Sequence, residues 1–193
     1  MEIFKKYDNK KAYYLFLIDN INEMLIYKYH LYIMNMSHIS HISHISHIEN
    51  TIKNLVSLKN TRLYPTIFEY YSSIELTKKL CKPFFVYGDL HRSIKINNNF
   101  PVRDKGIDLI NTSLDIVGQC KYYSNKSTIT YGRLATFLAS GKLVSKKLKY
   151  YLIRTDDCKL DSLVKSMIDR EEIYDVKIYK EEFLEYLKLI INK

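Results

Sequence analysis

A chain of 193 residues can hold one domain with a true hydrophobic core and a short appendage, and is too short for two full domains. With 47% hydrophobic and 26% charged residues it falls among globular proteins, which excludes an intrinsically disordered chain. The 30 Lys and Arg against 21 Asp and Glu leave a net charge of +9, which points to a polyanionic partner, although a solvated lysine-rich surface has the same composition.

Three cysteines, Cys81, Cys120 and Cys158, are odd in number and widely spaced, which fits reduced thiols in an intracellular compartment. None forms a CxxC pair, so a zinc finger is not supported. Lys5, Lys6, Lys10 and Lys11 precede an apolar stretch, Ala12 to Ile18, in the manner of a signal peptide, but Asp19 ends it too soon. No window reaches the roughly 18 uninterrupted apolar residues of a membrane helix. The expectation is a soluble, intracellular protein that does not engage a membrane.

From Lys10 to about Met36, Tyr14, Leu17, Ile18, Ile21, Met24, Leu25 and Tyr29 recur at steps of three and four, which predicts one or two helices. Ser-His-Ile then repeats four times, from Ser37 to Ile48. On an α-helix a step of three drifts by about 60° per repeat, so His38, His41, His44 and His47 wind around the axis and do not converge on one metal ion. Slippage of a short repeat in the gene accounts for the tract. Residues 1–62 are read as an N-terminal helical extension, and 63–193 as a compact α/β domain.

Within that domain Pro65 suits a helix start, and Thr66 to Leu80 places Ile67, Tyr71, Ile74 and Leu80 on one side until Lys82-Pro83 stops it. Phe84 to Tyr87 reads as a brief strand or a loop tucked against the core, and a polar stretch containing Asn97, Asn98 and Asn99 leads to Pro101. Ile107 to Asn111 and Leu114 to Tyr123 read as two strands joined tightly at Thr112-Ser113. Thr130 to about Ser140 reads as a helix stopped by Gly141. Lys149 to Arg154 reads as a strand, Ser162 to Ile168 as a helix, Val176 to Tyr179 as a strand and Glu181 to Ile191 as a helix. The order predicts an α/β fold, a mixed sheet flanked by helices.

The chemistry concentrates in DKGIDLI (104–110) and IVGQCKYY (116–123). Strand alternation turns Gln119 and Lys121 to one face and Gly118 and Cys120 to the other. A short turn brings Asp108 opposite that region, so a carboxylate, an amide carbonyl and an ammonium converge. Hard oxygen ligands suit Mg²⁺, which polarises a phosphodiester and helps generate hydroxide, while Lys121 stabilises transition-state charge or orients the attacking water. Asp104 lies in the approach to the strand and shapes the turn, and Asp115 sits exposed at the strand entrance. Lys126, Arg133, Lys142, Lys146 and Lys147 follow the site and can neutralise phosphates, a solvated helix face being the alternative. Tyr122 and Tyr123 either belong to the core or flank the site.

These segments resemble the Asp…QxK version of the PD-(D/E)xK signature of Mrr-like restriction endonucleases, and the nuclease domains attached to helicases of large DNA viruses. ITYGRLATF (129–137) and KYYLIRTDD (149–157) look like the next helix and strand of that domain, and FEYYSSIEL (68–76) like its first helix. The resemblance covers about two thirds of the chain and stops before about Thr61. It implies a restriction-endonuclease-like core and a metal-dependent DNA endonuclease leaving 5′-phosphate and 3′-hydroxyl ends. Asp108 and Gln119 are then ligands to Mg²⁺ or Mn²⁺, Lys121 the catalytic lysine and Glu69 an auxiliary acid. Gln119 stands where Glu or Asp is commoner, which removes a charge and weakens metal binding. Glu69 alternatively is an exposed helix residue. The resemblance further implies a homodimer for double-strand cutting, and a helicase as partner. A nuclease fold whose chemistry has lapsed, leaving a DNA-binding module with contacts such as Tyr123, Lys126, Arg133 and Lys142, is the alternative function.

Overall fold

Apolar spacing sets the two longest helices. The computed structural model describes residues 41–191 apart from 104, 124–126 and 146, so the helices expected over 10–36, together with Asp104, Lys126 and Lys146, lie outside the described residues. Helix α1 (His41–Ser57) continues the Ser-His-Ile tract. Steps of four along it bury His44, Ile48 and Ile52 and leave His47 exposed, which follows from a three-residue repeat winding around a 3.6-residue helix. Full burial of the two isoleucines contributes about 1.5–3 kcal/mol each. That contribution matters, because an isolated helix of this length is marginal in water.

Helix α2 (Tyr64–Leu80) starts with proline in its first turn and ends where Cys81 adopts a left-handed conformation, φ 51°. It buries Ile67, Phe68, Tyr71 and Ile74 as the period predicts, with Leu80 only half-buried. Strand β1 (Phe84–Val86) follows. The polar stretch expected after it contains a short helix, α3 (Arg92–Asn97), which its lack of apolar period concealed. Strands β2 (Leu109–Asn111) and β3 (Ile116–Lys121) are shorter than expected, with a four-residue loop between them. Asn111 closes that loop, its Oδ1 accepting from the amides of Asp115 (3.1 Å) and Ile116 (3.0 Å) while Leu114 takes a positive φ of 55°. Asp115 is half-buried and paired with Lys82 at 3.3 Å.

The remaining elements are β4 (Thr128–Ile129), α4 (Tyr131–Val144), β5 (Lys149–Thr155), β6 (Lys159–Leu160), α5 (Ser162–Asp169), β7 (Tyr174–Ile178) and α6 (Lys180–Ile191). Gly141 does not stop α4, which runs on to Val144. A Cβ at Gly141 would collide with the Tyr150 ring, so the glycine serves close packing of helix on strand. Asp161 caps α5 by accepting from Val164 N (2.8 Å) and also holds the amide of Tyr131 (3.1 Å) at the start of α4.

The central sheet has five strands in the order β1-β2-β3-β5-β7, antiparallel across β1-β2-β3 and parallel across β3-β5-β7, with β4 and β6 forming a separate parallel pair. Helices flank this mixed sheet. On one face α1, α2 and α6 pack through Ile48, Ile52, Phe68, Ile74, Phe183 and Leu187 onto Leu109, Ile153 and Val176. On the other, α4 packs Phe137 edge-on to Tyr150, ring centroids 5.6 Å apart. Residues 39–193 form one unit, so α1 shares its core with the domain expected to begin at residue 63. Among the described residues no helix is long and apolar enough to cross a membrane.

Candidate active site

The β2-β3 hairpin positions Asp108. Its register pairs Leu109 with Gly118 and Ile110 with Val117, and Asp108 lies one residue beyond, where the strands part. Its amide donates to the Gly118 carbonyl (2.9 Å) and its carbonyl accepts from the Tyr87 amide (2.7 Å). Its carboxylate Oδ2 accepts from the Cys120 amide at 2.7 Å, so a side chain replaces the backbone acceptor in the ladder. The carboxylate is thereby fixed against the peptide that joins Gln119 to Cys120.

Gln119 is 5% exposed, and its Oε1 is buried with no hydrogen-bond partner among the described residues. Its Nε2 lies so near Gly106 that a Cβ there would approach it to 2.9 Å, and Gly106 has φ +80°, a conformation that glycine adopts without strain. Leaving a buried acceptor unpaired costs about 1–3 kcal/mol. Strand alternation puts Lys121 on the same face, half-buried, and its ammonium forms no ion pair among the described residues.

Glu69, on α2, approaches from the opposite face. Glu69 and Asp108 line one cleft of about 280 Å³ together with Tyr87, Gly88, Lys95, Val102 and Ile107, a lining that includes neither Gln119 nor Lys121. Strand alternation turns the Cys120 thiol away from Gln119 and Lys121, toward the core under α2. Burial pushes its pKa well above the usual thiol range, the charges of Asp108 and Glu69 push it further, and the nearby Ser72 hydroxyl and Lys121 oppose them. Asp108, Glu69 and Lys121, which come from three different elements, thus all act electrostatically on this thiol.

Of the residues read as DNA contacts, Arg133 stacks its guanidinium 5.2 Å from the Tyr123 ring centroid. Lys142 is exposed on the same helix. Nine residues separate it from Arg133, which puts the two about half a turn apart around the axis. Lys180 reinforces the Tyr123 segment by donating to the Tyr123 carbonyl (3.3 Å) and to Asp157 Oδ2 (3.0 Å).

Comparison with protein-family models, with curated proteins and with solved structures finds no match to this chain. The site therefore stands on its own geometry. Among the described residues no three His, Cys, Asp or Glu side chains cluster as metal ligands. The cleft offers two carboxylates, Asp108 and Glu69, whose oxygens fit a hard cation such as Mg²⁺ or Mn²⁺ better than zinc, while the unpartnered Gln119 oxygen lies outside its lining.

Sequence reasoning missed Lys95 and the network behind it. Asp89 accepts from the Tyr70 hydroxyl at 2.8 Å, and its pKa is raised by burial against the opposing effects of Tyr70, His47 and Lys95. His47 of the Ser-His-Ile tract thus interacts electrostatically with Asp89. His44 is bound elsewhere, its Nε2 2.8 Å from the Phe84 carbonyl oxygen. No local signal marks either role, because both depend on how α1 docks.

Proposed function

We propose that the protein is a divalent-metal-dependent DNA endonuclease with a restriction-endonuclease-like core, hydrolysing phosphodiester bonds. The observation that carries this reading is Asp108, hydrogen-bonded into β3 at Cys120 while lining a cleft with Glu69, beside a buried Gln119 oxygen that has no partner. Asp108, Glu69 and Gln119 would hold Mg²⁺ or Mn²⁺. When bound, the ion supplies Lewis-acid polarisation of the phosphate and a lowered pKa for water.

The chain's own residues supply positioning and charge. The Cys120 amide holds Asp108 in one rotamer, and the ammonium of Lys121 is available to the negative charge that develops on the phosphoryl oxygens. The Arg133–Tyr123 stack offers a cation and a ring to the DNA, with Lys142 and Lys126 as further phosphate contacts, within a chain of net charge +9. Because one such centre cuts one strand, a second copy of the chain would cut the other, and a helicase is the partner that would deliver the substrate.

The test is cleavage of supercoiled, linear and branched DNA with Mg²⁺, Mn²⁺ or EDTA. Metal-dependent cutting is expected, with Asp108→Ala and Lys121→Ala each reducing it by at least about 10²–10³-fold. A wild type that binds DNA but cuts no substrate, with both variants binding equally well, would replace the enzyme by a binding module.

A further inference from the structure

Two neighbours on helix α3 are reversed. Its Lys95 is 7% exposed while the adjacent Ile96 is 51% exposed, the reverse of what burial energetics favours. Taking an ammonium out of water is costly unless its surroundings compensate, and leaving an isoleucine half in solvent forfeits part of its burial gain. The ammonium does have support. It sits 4.4 Å from the centroid of the Tyr87 ring, which is itself buried and anchored by its hydroxyl to the Pro101 carbonyl, and Asp89 interacts with it electrostatically. Yet Asp89 already receives the Tyr70 hydroxyl and faces His47. Lys95 also lies on the wall of the cleft that Glu69 and Asp108 line, so its ammonium serves a space beyond Asp89. The cleft borders solvent at Gly88 and Val102, both exposed, and a Cβ at Gly88 would meet nothing within 4 Å.

An acidic pair beside one fixed ammonium suits a ligand that is itself an anion bound alongside a cation. We infer that Lys95 is a substrate-binding residue that contacts a phosphate of the DNA strand being cut, on the wall of the cleft formed by Glu69 and Asp108. The inference rests on the nuclease reading, and it adds a second cation to Lys121, which does not line this cleft. Tyr87 and Asp89 hold the ammonium in place before substrate arrives, so little side-chain freedom is lost on binding.

The experiment measures affinity of the full chain for a short DNA duplex in Ca²⁺ between 50 and 200 mM salt, by fluorescence anisotropy. One lost phosphate contact lowers the steepness of log K against log salt by about 0.9. That drop is expected for Lys95→Met, with recovery in Lys95→Arg and no change in Lys78→Met, whose side chain is exposed and paired with Glu75. Near-UV circular dichroism establishes that the variants fold. Should Lys95→Met fail to fold, Lys95→Gln is judged by the same slope. An unchanged slope in a folded Lys95 variant overturns the inference, even if the wild type cuts DNA, and leaves Lys95 as a structural counter-ion of Asp89. A wild type that binds with a Lys95-dependent slope but never cuts removes the nuclease reading and leaves the phosphate contact standing. A wild type without affinity for DNA overturns both.

Discussion

Two buried polar side chains of the central sheet, Arg154 on β5 and Gln119 on β3, are treated differently. In the parallel half, Arg154 is 4% exposed and fully engaged: Nε and Nη2 donate to the two carboxylate oxygens of Asp175 at 2.8 and 2.9 Å, and Nη1 donates to the Cys158 carbonyl at 2.7 Å. In the antiparallel half, Gln119 is buried with its oxygen unpaired, and Asp108 and Glu69 line an open cleft. A satisfied buried charge locks a structure, whereas an unsatisfied buried acceptor next to a cleft is a cost that folding alone does not explain. The contrast is between these two sites, since Tyr150 Oη in the parallel half is also buried without a partner among the described residues.

Three substitutions test that contrast by stability, each read from urea unfolding. The largest effect is expected from Arg154→Ala, which strands the Asp175 carboxylate and lowers stability by about 3–5 kcal/mol. A loss below about 1 kcal/mol, the scale of a surface pair, would remove the distinction between the two sites. Gly141→Ala comes next, at about 1–3 kcal/mol, because the added methyl meets the Tyr150 ring of β5. If it is tolerated without loss, the parallel half is less tightly packed than the close approach of α4 to β5 indicates. Gln119→Met has the smallest expected effect and the opposite sign. Removing an unpaired buried amide raises stability by about 1 kcal/mol, while metal-dependent cleavage is lost. Destabilisation on the scale of Arg154→Ala would make Gln119 a structural residue.

Much of this was legible in the chain itself. The helical period placed α2, α4, α5 and α6 to within a few residues, and alternation placed β2, β3 and β5, because both patterns are local consequences of burying one side of an element. The pairing of Asp108 with the Gln119–Lys121 segment followed from a short connection between two strands. The rest was not local. Arg92–Asn97 has no apolar period, since its buried residue is a lysine. Gly141 looks like a terminator until the Tyr150 ring is placed over it. The Ser-His-Ile tract is a uniform repeat in which His44 and His47 are chemically identical, and only the docking of α1 buries one and exposes the other.

The sequence by itself determined the elements, the hairpin and the residue types at its centre, since φ/ψ preference, hydrophobic period and turn length act over a few neighbours. Only the tertiary structure decided that Glu69 meets Asp108 in one cleft, that Gln119 keeps an unpaired oxygen, and that Lys95 turns inward where Ile96 turns out. Those outcomes depend on packing between segments tens of residues apart, and desolvation acts only once that packing is made.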